Sequence, residues 1–141
     1  MKGGVTGSIA SGLCVLLAVG PGDNAETVRH LAERIAKLRV FGDAAGKMNL
    51  DITAAEGSVL VVSQFTLYAD SSRGHRPSFA GAAAPKLAAE LCDLFVEALR
   101  ERGLRVATGA FGADMDLEVV ADGPVTIVLS GDEPPWEADA G

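Results

Sequence analysis

The chain has 141 residues, with 12 Lys plus Arg against 19 Asp plus Glu, 48% hydrophobic residues and two Cys. That length suits one compact domain, and the apolar share excludes a disordered polyelectrolyte. A net charge of -7 excludes a surface that grips nucleic acid all round, although four acids (Asp132, Glu133, Glu137, Asp139) fall in the last eleven residues and leave the remainder only mildly acidic, with room for a local basic patch.

Gly3-Ile9 reads as a short glycine-rich extended piece. Leu13-Val19 is continuously apolar, but seven residues are too few to span a bilayer. A signal peptide needs a longer apolar region beside its basic start. The run is therefore expected to be a strand covered on both faces. Pro21-Gly22 breaks it, and Asp23 with Glu26 forms a D-x-x-E capping box. Val28, Leu31, Ile35 and Leu38 then recur at helical spacing, with Arg29, His30, Glu33, Arg34 and Lys37 largely on the solvated side.

Arg39-Phe41, a turn at Gly42-Gly46 and Lys47-Leu50 read as a hairpin. Ser58-Val62 is a β-branched strand that continues into Ser63-Gln64-Phe65-Thr66-Leu67-Tyr68, and Asp70-Pro77 is a polar loop. Pro85 opens a second helix, whose apolar face is Leu87, Leu91, Leu94, Phe95, Ala98 and Leu99, and Gly103 ends it. Three strands follow at Arg105-Thr108, Leu117-Ala121 and Val125-Leu129, then an acidic tail with the look of a disordered end. Strands alternating with single helices point to a layered α/β or α+β fold, one domain over residues 1-130 and a tail over 131-141.

Standard catalytic sets are missing. There is no G-x-S-x-G elbow, no phosphate loop, no CxxC and no set of metal ligands at useful spacing. Cys14 and Cys92 read as buried apolar thiols in a reducing cytoplasm, and His30 and His75 as surface residues. Two segments stand out. At Ser63-Tyr68 a hydrophobic strand turns polar, and a strand end with hydroxyl, amide and backbone N-H groups can hold a reacting carbonyl. An ordinary amphipathic strand with Ser63 and Thr66 hydrogen-bonded accounts for the same residues. Gly123-Pro124 restricts the backbone and removes a donor, as a turn requires. About one X-Pro bond in twenty is cis, and nothing in these residues alone selects that form.

These segments resemble the D-aminoacyl-tRNA deacylase family, first described as D-tyrosyl-tRNA deacylase. Its SQFTLY signature stands at Ser63-Tyr68 and its Gly-Pro motif, GPVT, at Gly123-Thr126. Phe41-Asn49 matches the F…GKMN hairpin, Arg76-Phe79 matches RPSF, and Thr108-Met115 looks like the TG-x-FGA-x-M stretch. The likeness runs over roughly residues 5-129, in the family's order. It implies an α/β three-layer sandwich of mixed β-sheets with two main helices. It also implies a cytoplasmic homodimer without cofactor or metal, with no membrane or DNA partner. The implied activity is hydrolysis of the ester between a D-amino acid, or glycine on the wrong tRNA, and the 3′-terminal ribose of tRNA.

On the same resemblance, Gly123 and Pro124 form a cis pair that projects into the partner subunit's active site and excludes an L side chain by overlap. Ser63, Gln64, Phe65 and Thr66 hold the ester carbonyl against backbone N-H donors near Gln64 and Phe65, each such donor being worth about 10²-10³ in rate. The terminal ribose 2′-hydroxyl helps to activate water. Thr66 stands at the family position once argued to be a nucleophile, and is expected here to position rather than attack. Lys47, Arg73 and Arg76 are candidates for contacts with tRNA phosphates.

Two departures from the family pattern bear on the gate. Ala121 stands where the family usually has Asn. Met1 aligns inside the family's opening hairpin, past a strand whose Arg pins the Gly-Pro carbonyl. The natural protein is thus expected to carry about 14 more residues, one strand and its turn, with a Val codon misread as the start. The rival expectation is a catalytically weak dimeric module that binds the tRNA 3′ end, favoured by these departures and opposed by the intact SQFTLY.

Overall fold

In the computed structural model, which describes residues 7-113 and 115-130, two β-to-helix crossovers build one parallel sheet. The expectations for Met1-Thr6, Asp114 and the acidic tail at 131-141 lie outside the described residues. The elements are β1 (Gly12–Leu17), α1 (Ala25–Lys37), β2 (Phe41–Gly42), β3 (Met48–Leu50), β4 (Ser58–Ser63), a 3₁₀ turn (Phe65–Tyr68), α2 (Pro85–Glu101) and β5 (Val106–Thr108). The sheet order is β1-β4-β5, all parallel, while β2 and β3 pair antiparallel. Parallel neighbours cannot be joined by a tight turn, and α1 and α2 supply the crossovers. The result is an α/β fold with two helices and both kinds of sheet.

Alternation along the strands fixes where the core sits. Leu17 of β1 and Val59 and Val61 of β4 meet Val28, Ala32 and Ile35 of α1 and Leu91, Phe95 and Leu99 of α2. Phe95, Ile52, Leu99 and Val59 are fully buried. Both helices therefore cover the same sheet face. The opposite face of β1 is open, with Cys14 exposed and Leu16 46% exposed. The expectation that this strand is covered on both faces, and that Cys14 is buried, is thus corrected. Cys92, on the helix side, is buried.

The caps also differ from expectation. Asn24, not Asp23, is the N-cap of α1: its side chain accepts from Thr27 N at 3.0 Å, and Thr27 Oγ1 accepts from Asn24 N at 3.0 Å. Asp23 is drawn off because its carboxylate accepts from Gly20 N at 2.8 Å across the Pro21-Gly22 turn. At the end of α2, Gly103 has φ +83°, and Leu104 N and Gly103 N donate to Leu99 O and Arg100 O, which is a Schellman motif. The same bond pattern closes the turn before β4, where Gly57 N and Glu56 N donate to Ile52 O and Thr53 O. There the left-handed position, φ +56°, is held by Glu56.

Two strand expectations fail. The chain after Ser63 leaves the sheet and winds into the 3₁₀ turn instead of continuing as strand. Leu117-Ala121 and Val125-Leu129 form no β-ladder among the described residues, and Val119, Val120, Ile127 and Val128 are exposed. A β-prone segment becomes a strand only where a neighbour supplies hydrogen bonds and a covering face. The segment is tethered at its end, where Arg34 Nη1 donates to Ser130 O at 3.1 Å and Leu129 packs on the core. Among the described residues no helix is long and apolar enough to cross a membrane.

Candidate active site

The polar end of β4 lies at the carboxyl end of the central strand of the parallel sheet, where open α/β sheets commonly place ligands. Ser63 is the last residue in register, opposite Leu17. Gln64 N then donates to Leu17 O at 2.7 Å, which ties the strand end to β1. The first bond of the 3₁₀ turn runs from Leu67 N to Gln64 O at 3.2 Å, followed by Ala69 N to Thr66 O at 3.0 Å. The N-H groups of Phe65 and Thr66 precede that first bond, so neither has an acceptor within the turn.

The pair of available donors is therefore Phe65 and Thr66, not Gln64 and Phe65 as expected, because the Gln64 N-H is engaged by β1. No sequence signal distinguishes these cases. They differ in whether the chain continues straight or turns after Ser63.

The side chains here are half-buried at Ser63, Gln64 and Thr66 and exposed at Phe65. Gln64 Nε2 donates to Thr66 Oγ1. Ser63 lies beside Cys92 of α2. Burial pushes the Cys92 thiol up, the Ser63 hydroxyl opposes that, and the Asp93 charge adds to it. Phe65 packs against Phe79 with ring centroids 5.0 Å apart and an interplanar angle of 72°. The SQFTLY and RPSF segments thus meet at the base of one loop. That base is closed by reciprocal bonds between Asp70 and Ser78, 2.7 and 2.8 Å long.

Arg73 and Arg76 are exposed on this loop and make no ion pair among the described residues. Asp70 Oδ1 accepts from Ser72 Oγ at 2.6 Å and Ser72 N at 2.9 Å, bonds that hold its carboxyl below the usual range. Lys47 sits apart, exposed on the β2-β3 hairpin, where Asp43 Oδ1 accepts from the N-H groups of Ala45 and Lys47. The structure brings Arg73 and Arg76 to the loop that follows the turn, and leaves Lys47 on a separate arm.

The stretch after β5 also reaches the sheet end. Gly109 N donates to Val61 O at 3.2 Å, and a Cβ on Gly109 would lie 2.8 Å from Met115 Sδ. Gly123-Pro124 is cis, the form that the resemblance implies, and Gly123 has φ +111°, a conformation that favours glycine. Both residues are exposed, and among the described residues no hydrogen bond joins them to Ser63-Thr66.

The chemistry available is that of a preorganised polar turn. Two backbone donors, two hydroxyls and an amide lie within Ser63-Thr66, with no carboxylate or imidazole among them. Such a turn can stabilise negative charge on a carbonyl oxygen.

Comparison with known proteins gives a consistent picture. The family model described as D-Tyr-tRNA(Tyr) deacylase matches residues 1–130. A protein of Deinococcus radiodurans named D-aminoacyl-tRNA deacylase is 58% identical over 129 residues, covering 92% of this chain and 89% of the relative. Proteins of the same name from Chloroflexus aurantiacus and Anaeromyxobacter dehalogenans are 53% and 54% identical, covering 94% and 92% of this chain and 83% and 87% of their own. Among solved structures, one described as c-Myc DNA Unwinding Element Binding Protein superposes with a TM-score of 0.77 at 36% identity, over 83% of this chain and 80% of that one. A second, described as a probable eukaryotic D-amino acid tRNA deacylase, has a TM-score of 0.61 at 17% identity over 72% and 75%, a likeness of fold.

Proposed function

The chain belongs to the D-Tyr-tRNA(Tyr) deacylase family, and on that premise we propose that it hydrolyses the ester of D-aminoacyl-tRNA, and of glycine on the wrong tRNA, in the cytoplasm. The observation that carries this reading is the turn at the end of β4, which leaves the N-H groups of Phe65 and Thr66 without an acceptor among the described residues. A carbonyl oxygen bound there gains negative charge as water adds to its carbon, and each donor lowers the barrier by the equivalent of about 10²-10³ in rate. The bond to the ribose 3′ oxygen then breaks, and a proton from the attacking water ends on that oxygen. Ser63-Thr66 contain no general base, so the neighbouring 2′-hydroxyl of the substrate ribose assists the water.

Selection against L-aminoacyl esters is assigned to Gly123 and Pro124 of a second copy in a homodimer. Two features support that reading: the pair is exposed with no hydrogen bond to Ser63-Thr66 of its own chain, and the apolar residues flanking it, Val119, Val120, Val125 and Ile127, are exposed too. Backbone atoms crowding one side of the α-carbon reject an L side chain and clear a D side chain or the hydrogen of glycine. Arg73, Arg76 and Lys47 contact phosphates of the tRNA end.

The test is to incubate the protein with D-Tyr-tRNA and L-Tyr-tRNA and follow ester loss. Rapid loss of the D ester alone is expected. Tight tRNA binding with neither ester cleaved would instead identify a module that binds the tRNA end.

A further inference from the structure

The bond from Arg34 Nη1 to Ser130 O brings the end of the described chain to the outer side of α1. Arg34 follows His30 by four residues, about one turn along the helix. At His30 begins a groove of about 610 Å³ between α1 and α2. Three carboxylates line it, Glu26, Glu33 and Glu101, against Arg29, His30 and Arg102, with the half-buried side chain of Ala98 between them. Glu33 is engaged by Lys37 at 2.6 Å and by Arg102 at 3.8 Å. The charges nearly balance, so the groove has no strong preference for an acidic or a basic partner. What it offers is a pair of planar guanidinium groups beside a small apolar side chain, the surroundings in which an aromatic ring stacks.

The chain supplies such a ring close by. Trp136 is its only Trp, six residues past Ser130 and directly after Pro134-Pro135. Six extended residues reach about 20 Å. One turn of α1 and half its width come to about 11 Å, so the ring can cross to the groove with chain to spare. We propose that this groove is the docking site of the chain's own segment 131-137, with the Trp136 indole stacked over Ala98 between Arg29 and Arg102. An indole that leaves water buries roughly 150–250 Å², and the two Pro residues before it lose little freedom when the segment is ordered. The docked segment is a second tie, beyond the Arg34-Ser130 bond, for the stretch Val125-Leu129, which has no β-ladder among the described residues. This inference is independent of the hydrolytic reading.

Because Trp136 is the only Trp, its fluorescence reports the segment without a label. The experiment compares the full chain with a free peptide of residues 130-141, and with Ala98→Gln, which fills the groove while keeping a good helix former. Arg29→Ala removes one stacking cation at an exposed position, so it keeps the test open should the first variant fail to fold. Glu97→Gln, exposed on α2 outside the groove, is the control. Circular dichroism checks the fold of each. In the full chain, emission should lie at shorter wavelength than in the peptide, and acrylamide quenching should be several-fold weaker. Ala98→Gln should return both to the peptide's values and Arg29→Ala should move both toward them, whereas Glu97→Gln should change neither. In Trp136→Ala, amide protection factors at Val125-Leu129 should fall several-fold. Peptide-like emission in the full chain would overturn the proposal. So would a buried indole indifferent to both groove substitutions, or protection at Val125-Leu129 that survives Trp136→Ala. Emission that shifts only on adding tRNA, or only at high protein concentration, would assign the groove to another partner or to the tail of another copy, and would overturn it as well.

Discussion

Phe79 lies edge-on against Phe65, with ring centroids 5.0 Å apart at 72°, and so joins the far end of the basic loop to the turn that carries the candidate donors. Phe65 is 58% exposed and Phe79 half-buried, so the contact braces the turn more than it fills the core. Edge-to-face pairs contribute about 0.5–1.5 kcal/mol beyond burial. In a Phe65→Leu/Phe79→Leu double-mutant cycle, urea unfolding should give a coupling energy in that range. Phe79→Leu alone should slow deacylation several-fold, since it loosens the turn without touching the donors. Additive unfolding energies would show that the rings are neighbours without coupling.

Glu56 occupies a left-handed position that the matching motif at the end of α2 gives to Gly103. A non-glycine residue there carries about 1–2 kcal/mol of steric cost, partly offset because glycine loosens the unfolded chain. Glu56→Gly should therefore raise stability by about 0.5–1 kcal/mol, seen as a higher urea midpoint at unchanged slope. Gly103→Ala should lower it by about 1 kcal/mol. Deacylation should be unaffected by Glu56→Gly, because the turn lies at the opposite end of β4 from Ser63.

If Arg73 and Arg76 neutralise tRNA phosphates, each change to Ala should weaken tRNA binding similarly for every tRNA. The slope of log affinity against log salt should fall by about 0.7–0.9 per residue removed. Binding titrations from 50 to 300 mM salt would read this directly. An unchanged slope in both variants would mark the loop as a solvated surface.

The Asp70 carboxyl is held below its usual range by the Ser72 hydroxyl first and the Ser72 N-H second. A depressed carboxylate stabilises the folded loop above the unfolded pKa, and the contribution is lost as pH falls through the lowered folded value. Acidification from pH 6 should thus loosen the loop in the folded protein, seen as a lower protection factor at the Ser72 amide, the exchange rate being compared with the intrinsic rate at each pH. In Ser72→Ala the Asp70 carboxyl should titrate at higher pH, and loosening should begin earlier. Carboxyl titration by NMR in the two proteins checks the order.

Local rules were enough for α2. Pro85 at its start, an apolar stripe through Leu91, Phe95 and Leu99, and Gly103 just past its end each act through the residue's own backbone or its near neighbours. The β2-β3 hairpin and the β-branched run of β4 were legible for the same reason, and the motifs named the residues of the candidate site. Elsewhere a distant group decided. Asp23 and Asn24 are both competent caps, and the Gly20 N-H takes the first. The run Leu13-Leu17 is apolar on every side, and only the packing of both helices on one face leaves Leu16 and Cys14 outside. The residues after Ser63 suit strand or turn equally until Leu17 O captures the Gln64 N-H, which moves the available donors one residue along. Leu117-Ala121 and Val125-Leu129 have strand composition, but a strand is a relation between two segments, and among the described residues no partner pairs with them. Composition and spacing thus determined most of the helices, and the resemblance supplied the candidate site residues. Which backbone N-H groups at the site stay available was decided by the hydrogen bond from Gln64 N to Leu17 O, far back along the chain, which no local pattern encodes.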